Sequence, residues 1–478
     1  MTDSDLAHKR AAGAVDPARV LAMCSGITFM AFLDFTVVNI AFPDILADFE
    51  NTSINTLTWI VSGYAVMFAA LLAPAGRIAD SVGRRPVLLW SLALFTIASL
   101  VCGVAPSIGW LIAGRFLQGV AAGGMIPAAL GLILSTTPRE RIPRAVATWS
   151  AASGFSAVIG PAVGGVLLRV LDWRWVFFIN LPIGAALLAG GLAVLPGHVK
   201  GSGSRLPDAI GSIALGLGIA GIVSALTEGD KWGWLDIRTI GLGAAGLALI
   251  GFTVLRSRAH EAPAIDIALW RSPAYTIANV ALAMLSANMF AWNLAAPLFA
   301  TTIWHWTILE TAAALCVGAV ASMIGSLAAG RLTSPAMHGK IAILACLLFA
   351  ASNAIWASNL FGSTSNFLGG WLPAAILGGG GLGLGFTCLS TLAAGALAPL
   401  KFAGGLGMTV SVRQVGGAVG VAGFAAIMVS SATPGSLSAF HHVFVAAMAL
   451  NIICALVVSV LISPRFSRPA GARTATGA

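Results

Sequence analysis

Val20–Pro43 reads VLAMCSGITFMAFLDFTVVNIAFP, an apolar run carrying one acid, Asp34, and no other charge. A helix rising 1.5 Å per residue needs about 20 apolar residues to cross a ~30 Å hydrocarbon core, so this run is long enough to span a membrane. A charged Asp near the bilayer centre costs at least ~2.5–3.5 kcal/mol on insertion scales. Either a partner offsets that cost, or the carboxyl carries a proton for much of its time.

The rest of the chain repeats the pattern. Its 478 residues are 58% hydrophobic and only 9% charged, with a mean hydropathy of +0.93. A soluble domain is about 25% charged. Fourteen apolar runs follow one another between residues 20 and 462, none alternating as barrel strands do. The expected fold is all-α and polytopic, with fourteen transmembrane helices. Met1–Arg19 is a polar arm without a signal-peptide layout.

The net charge of +9 does not require nucleic acid. With fourteen helices and the N-terminus inside, Arg169, Arg174, Lys231 and Arg238 fall outside and Arg115 and Arg413 fall within the membrane. The remaining Lys and Arg are all cytoplasmic. That asymmetry is the positive-inside rule, and it places both termini in the cytoplasm. All six cysteines lie in apolar runs without a CxxC pair and read as small buried hydrophobes. The histidines have no metal spacing; His441 and His442 are adjacent, so their rings diverge. No Lys is followed by Ser or Thr, which excludes a P-loop. The glycine run Gly378–Gly385 lies within an apolar helix and reads as close helix packing. Neither an enzyme nor a cofactor is expected.

Depth supplies a partner for Asp34. The first helix runs outward with its middle near Ala31, so Asp34 lies ~4–5 Å beyond it; the fourth runs inward with its middle near Gly119, so Arg115 lies ~6 Å to the same side. A pair at that depth would offset the burial of an ionised Asp34. Isolated ionisable groups in a membrane mark pathways and proton relays by default.

After the second helix comes GRIADSVGRR, Gly76–Arg85. Gly83 permits a tight turn, and Asp80 can pair with Arg84, Arg85 or a neighbouring helix end. This stretch resembles the loop motif of the major facilitator superfamily, in which the residues matching Gly76, Asp80, Gly83, Arg84 and Arg85 latch one conformation. Further stretches resemble the fourteen-helix drug/proton antiporters of that superfamily: Leu33–Ala41 in the first helix, Gly114–Gly119 in the fourth, and Gly154 with Gly160, Pro161, Gly164 and Gly165 in the fifth. Trp173–Gly184 and Arg413–Gly417 are also similar. The resemblance implies proton transfer involving Asp34 and Arg115, and an antiporter hinge in the fifth helix, where Pro161 removes a backbone donor.

Gly330–Lys340 echoes Gly76–Arg85 with Ser334 in place of the acid, as expected of two half repeats. The expected organisation is an N-terminal six-helix bundle over 1–200, two inserted helices over 207–256, a C-terminal six-helix bundle over 272–465 and a cytoplasmic tail over 466–478. The inserted pair is expected to lie peripheral to the pathway. Gln118, Asn288, Met289, Phe290, Trp292, Asn293 and Arg413 are candidate liners of a cavity between the halves. Trp59 and Trp304 read as interfacial belt residues.

The expected activity is proton-coupled antiport across a bacterial inner membrane, exporting small amphipathic or lipophilic compounds that are neutral or singly cationic. The chain is expected to act as a monomer in the bilayer, with protons and a small molecule as its partners. Two competing expectations are a dedicated metabolite, sugar or siderophore transporter of the same fold, and a membrane sensor that does not transport.

Overall fold

In a computed structural model, residues 16–49, 54–197, 207–332, 334–398, 401–430 and 436–460 are described. Their regular structure is helical throughout. The first half comprises α1 (Pro17–Asp48), α2 (Ile54–Val82), α3 (Arg84–Gly103), α4 (Ile108–Thr136), α5 (Ile142–Val170) and α6 (Asn180–Val194). The inserted pair is α7 (Ala209–Trp232) and α8 (Ile237–Ala259). The second half comprises α9 (Pro273–Thr302), α10 (Ile308–Ala329), α11 (Pro335–Trp356), α12 (Leu372–Gly395), α13 (Phe402–Ser430) and α14 (Leu437–Ser459). A single turn, Trp175–Phe178, precedes α6, and a π turn, Phe367–Trp371, precedes α12. The tail over 466–478 lies outside the described residues.

Several helices start where the sequence supplies a cap. Asp16 accepts from the Ala18 N–H ahead of Pro17, and Thr307 with Glu310 forms a reciprocal capping box on α10. The Thr307 N–H holds the Glu310 carboxyl below the usual carboxylate range. Twelve stretches of described residues are long and apolar enough to cross a membrane. The fourteen expected crossings are twelve by this measure. α10 offers only the shorter apolar stretch Ala313–Ala329 among its described residues, and part of α5 lies outside the described side chains.

The halves are built alike. α2 and α3 pack on α4, as α10 and α11 pack on α12; α1 packs on α5, as α9 packs on α13. The halves meet along α2 with α13 and along α5 with α10. α4 is central, with 89% of its apolar stretch buried. The glycine run in α12 brings backbones together: a Cβ on Gly379 would stand 2.1 Å from the Gly318 carbonyl oxygen of α10, and one on Gly383 1.9 Å from that of Ser322.

The two inserted helices are placed differently. α8 is peripheral, with 17% of its stretch buried, but α7 packs against α2 and α13 and so lies on the seam between the halves. Arg256 Nε and Nη2 donate to the Asp208 carboxylate, tying the start of α7 to the end of α8. These hydrogen bonds hold the Asp208 carboxyl below the usual range.

Trp304 is a second correction. It is 7% exposed, with its ring against Phe299 and Phe361 and its Nε1 donating to the Gly362 carbonyl at 2.9 Å. Packing there covers the ring and satisfies the donor, so no interfacial position is needed to reconcile the two. Trp59 stacks on Phe116. His441 Nε2 lies 3.1 Å from the Phe361 carbonyl oxygen. The cysteines are buried apart from the half-buried Cys316.

Candidate functional site

The apolar run of α1 buries Asp34 because its neighbours on the helix are core residues; Asp34 is 1% exposed. α4 presents Arg115, fully buried, whose Nη1 donates to Asp34 Oδ2 at 2.5 Å. Arg115 Nε donates to the Ile60 carbonyl of α2 at 2.9 Å, and its guanidinium lies 4.4 Å from the centre of the Tyr64 ring. One turn along α4, Gln118 Oε1 accepts from Arg115 Nη1 at 2.8 Å while its Nε2 donates to Asp34 Oδ1 at 3.1 Å and to Ser99 Oγ of α3 at 2.7 Å. Asn180, the first residue of α6, donates from Nδ2 to Asp34 Oδ1 at 2.7 Å.

Five helices therefore converge on one carboxylate. A charge out of water is tolerable only when it is paired and its remaining lone pairs are hydrogen-bonded, and Asp34 has a cation and two amides. Chemically, the cluster holds one titratable acid against one fixed cation, an arrangement suited to taking up and releasing a proton. Asn180 and Ser99 were missed as functional residues. Asn180 falls within the motif stretch Trp173–Gly184, where its polarity inside an apolar run was the available signal; Ser99 offered only a lone hydroxyl.

The second constellation closes one end of the α2/α13 seam. Asp80 Oδ1 accepts from Arg84 Nε and Nη2 at 2.9 and 2.7 Å. The same carboxylate accepts from the N–H groups of Ala403 and Gly404, at 3.2 and 2.7 Å, in the first turn of α13. An acid at a helix N-terminus satisfies its free N–H groups and opposes the positive end of its dipole. Arg84 Nη1 also donates to the Gly131 carbonyl of α4. Gly76 admits α13: a Cβ there would stand 2.3 Å from the Ala403 carbonyl oxygen. Gly83 has a φ of 122°, the left-handed side that favours glycine, and makes the turn into α3. Arg85 instead donates to the Leu192 carbonyl of α6, away from the seam. The connection after α8 covers this end, with Arg77 donating to the Pro263 carbonyl and Lys401 paired to Asp266.

In α5, Gly160 packs tightly on α1; a Cβ there would stand 2.0 Å from Thr36 Oγ1. Gly164 is buried, whereas a Cβ on Gly154 or Gly165 would meet nothing within 4 Å. Pro161 lies within α5, its side chain outside the described residues.

The candidate cavity liners separate. Gln118 belongs to the Asp34 cluster. Asn288 is 2% exposed with both amide atoms unpartnered among the described residues, and the Trp292 Nε1 is likewise unpartnered. Met289 is half-buried, Phe290 packs on Gly417 of α13, and Asn293 is exposed. The Arg413 guanidinium lies 4.1 Å from the centre of the Phe386 ring.

Twelve membrane-length apolar stretches, two halves of matching build and a charge pair buried among the helices define a multi-pass membrane protein organised around a central seam. The chain belongs to the Major Facilitator Superfamily, whose sequence model matches residues 24–420. It is 31% identical over 415 residues to the tetracenomycin C resistance and export protein of Streptomyces glaucescens, covering 86% of this chain and 76% of that protein. It is 27% identical over 394 residues to the multidrug export protein EmrB of Escherichia coli K12, covering 82% and 76%. The human organic anion transporter MFSD10 shares the fold, with a TM-score of 0.68 at 15% identity over 93% of this chain and 99% of that one.

Proposed function

We propose that this protein is a proton-coupled antiporter of a bacterial inner membrane that exports small amphipathic or lipophilic compounds by alternating access. The observation that carries the reading is the buried Asp34–Arg115 pair, the one place described where a titratable acid and a fixed cation meet deep in an apolar stretch. The names of the export and resistance relatives support an outward direction and a small-molecule cargo. In this reading α5 and α10 also cross the bilayer, giving fourteen spans and cytoplasmic termini. The bundles are 1–200 and 272–465, with 207–256 inserted between them, and the chain acts as a monomer.

Asp34 takes a proton from outside and releases it inside, and Arg115 is its buried partner. Asp80, Arg84, Gly76 and Gly83 hold the α2/α13 seam closed in one access state. The Gly160–Gly164 part of α5 lets it slide on α1. Cargo enters between the halves beside Asn288, Phe290 and Trp292. Because Arg115 and Arg413 lie in the membrane region with only Asp34 to oppose them, a dication would meet net positive charge at low dielectric. Neutral and singly cationic compounds are the preferred cargo. A narrower range is a second reading, favoured by the first relative's being named for one compound, tetracenomycin C.

The reading is tested by accumulation of lipophilic dyes and antibiotics in cells lacking or carrying the gene, with and without an uncoupler. Expression is expected to lower accumulation at least severalfold, and the uncoupler to abolish the difference. Accumulation that ignores both gene and uncoupler would contradict the reading, and a screen of many compounds separates a broad range from a narrow one.

A further inference from the structure

The geometry points to Asn180 as a positioning residue for Asp34 that turns its side-chain amide when Asp34 gains a proton, an inference that rests on the proton-coupling reading above. When ionised, Asp34 accepts hydrogen bonds only: Oδ2 from Arg115, Oδ1 from Gln118 and Asn180. A proton on Oδ2 would point at a guanidinium, which has donors alone. A proton on Oδ1 would point at two amide N–H groups unless one of them turned to present oxygen.

Gln118 is not free to turn. Its Oε1 accepts from Arg115 Nη1, so turning would set its NH2 group against the guanidinium. Asn180 is held differently. It is fully buried, and its Oδ1 has no hydrogen-bond partner among the described residues. Rotation of the amide by half a turn breaks no bond at the oxygen end and brings that oxygen to face Asp34 Oδ1. The turn gives up only the long 3.4 Å contact from Asn180 Nδ2 to Ser99 Oγ, whose own proton goes to the Phe95 carbonyl at 2.9 Å. The orphaned oxygen, costly while Asp34 is ionised, becomes the acceptor for the O–H of the protonated acid.

The step is a simple protonation: a proton from the outer water forms an O–H bond at Asp34 Oδ1, one negative charge is lost, and nothing is oxidised or reduced. The charged and titratable groups facing Asp34 are Arg115 from α4, Tyr64 from α2 and Cys102 from α3. α5 and α6 face it, among the described residues, with neutral groups. Asn180 opens α6, so a change in its bond to Asp34 is felt where α6 meets α1 and α3.

Two measurements on the purified full-length protein test this. The first is infrared difference spectroscopy between high and low pH on protein whose asparagine side-chain carbonyls carry carbon-13. A shifted asparagine band is expected on acidification, absent from both Asp34→Asn and Asn180→Asp. The second is export of ethidium from proteoliposomes under an imposed pH gradient, measured across pH. Asn180→Asp is close to isosteric but sets a second carboxyl beside Asp34, so the pH of half-maximal export is expected to rise by about one unit or more. No asparagine band shift, or an Asn180→Asp profile that superimposes on wild type, overturns the inference. A band shift in a wild-type protein that shows no gradient-driven export overturns the transport reading instead.

Discussion

At the scale of single residues, Asp34 and Arg115 are held by mutual need. Removing one member of a buried pair leaves an uncompensated charge and costs about 3–5 kcal/mol in soluble proteins. Lys at 115 would keep a charge but not the planar fork that reaches Asp34, Gln118 and the Ile60 carbonyl together. Arg115→Lys is therefore expected to lower gradient-driven export at least tenfold while the purified protein stays monodisperse; export at the wild-type rate would show that any cation suffices. The pair was legible in the sequence because charges are rare there and helix rise fixes their depth. Asn180 and Ser99 were not, because an uncharged polar residue in an apolar run carries no label of its partner. Their convergence on Asp34 follows from how α3 and α6 pack, which depth alone does not specify.

At the scale of elements, the end of the α2/α13 seam is tied by a carboxylate at a helix N-terminus. Asp80→Asn keeps an oxygen to accept one N–H but loses the charge that binds Arg84 and opposes the α13 dipole. It is expected to raise labelling of a single cysteine placed along this seam severalfold and to lower turnover, with little change in substrate affinity. Unchanged labelling in a folded, inactive Asp80→Asn protein would count against a latch. The loop motif announced these contacts through its Gly and Asp spacing, which offered Asp80 either Arg84 or Arg85; Arg84 takes that place and Arg85 reaches α6. The inserted helices carry their own tie. The folded carboxyl of Asp208 titrates below its unfolded value, so its bond to Arg256 contributes stability above the ordinary carboxylate range. That contribution fades as pH falls through the lower, folded value. Asp208→Asn is expected to lower Tm at pH 7, and the gap to close below about pH 4, where the unfolded carboxyl is protonated. A gap constant with pH would mean that the ion pair adds nothing.

At the scale of the molecule, two halves of like build meet along α2/α13 and α5/α10, and in the proposed alternating access a rocking motion opens one end of that seam while closing the other. The echo of Gly76–Arg85 in Gly330–Lys340 made the repeat visible, and Gly330 lies against α5, where a Cβ would stand 2.4 Å from that of Ala147. The position of α7 across the seam was not visible, since an apolar helix facing lipid and one facing protein differ little in composition. Glu228, buried two residues beyond the α7 apolar stretch Ala209–Leu226, is a further acid whose neighbours the composition did not reveal. The central claim is that export is driven by protons through Asp34. It is tested most directly by export from proteoliposomes under an imposed pH gradient, comparing wild type with Asp34→Asn at matched incorporation and thermal stability. The account predicts that Asp34→Asn, which can still accept from Arg115 but cannot ionise, loses gradient-driven export by at least tenfold. Export by Asp34→Asn at the wild-type rate, still abolished by collapsing the gradient, would contradict it and assign the proton to another group.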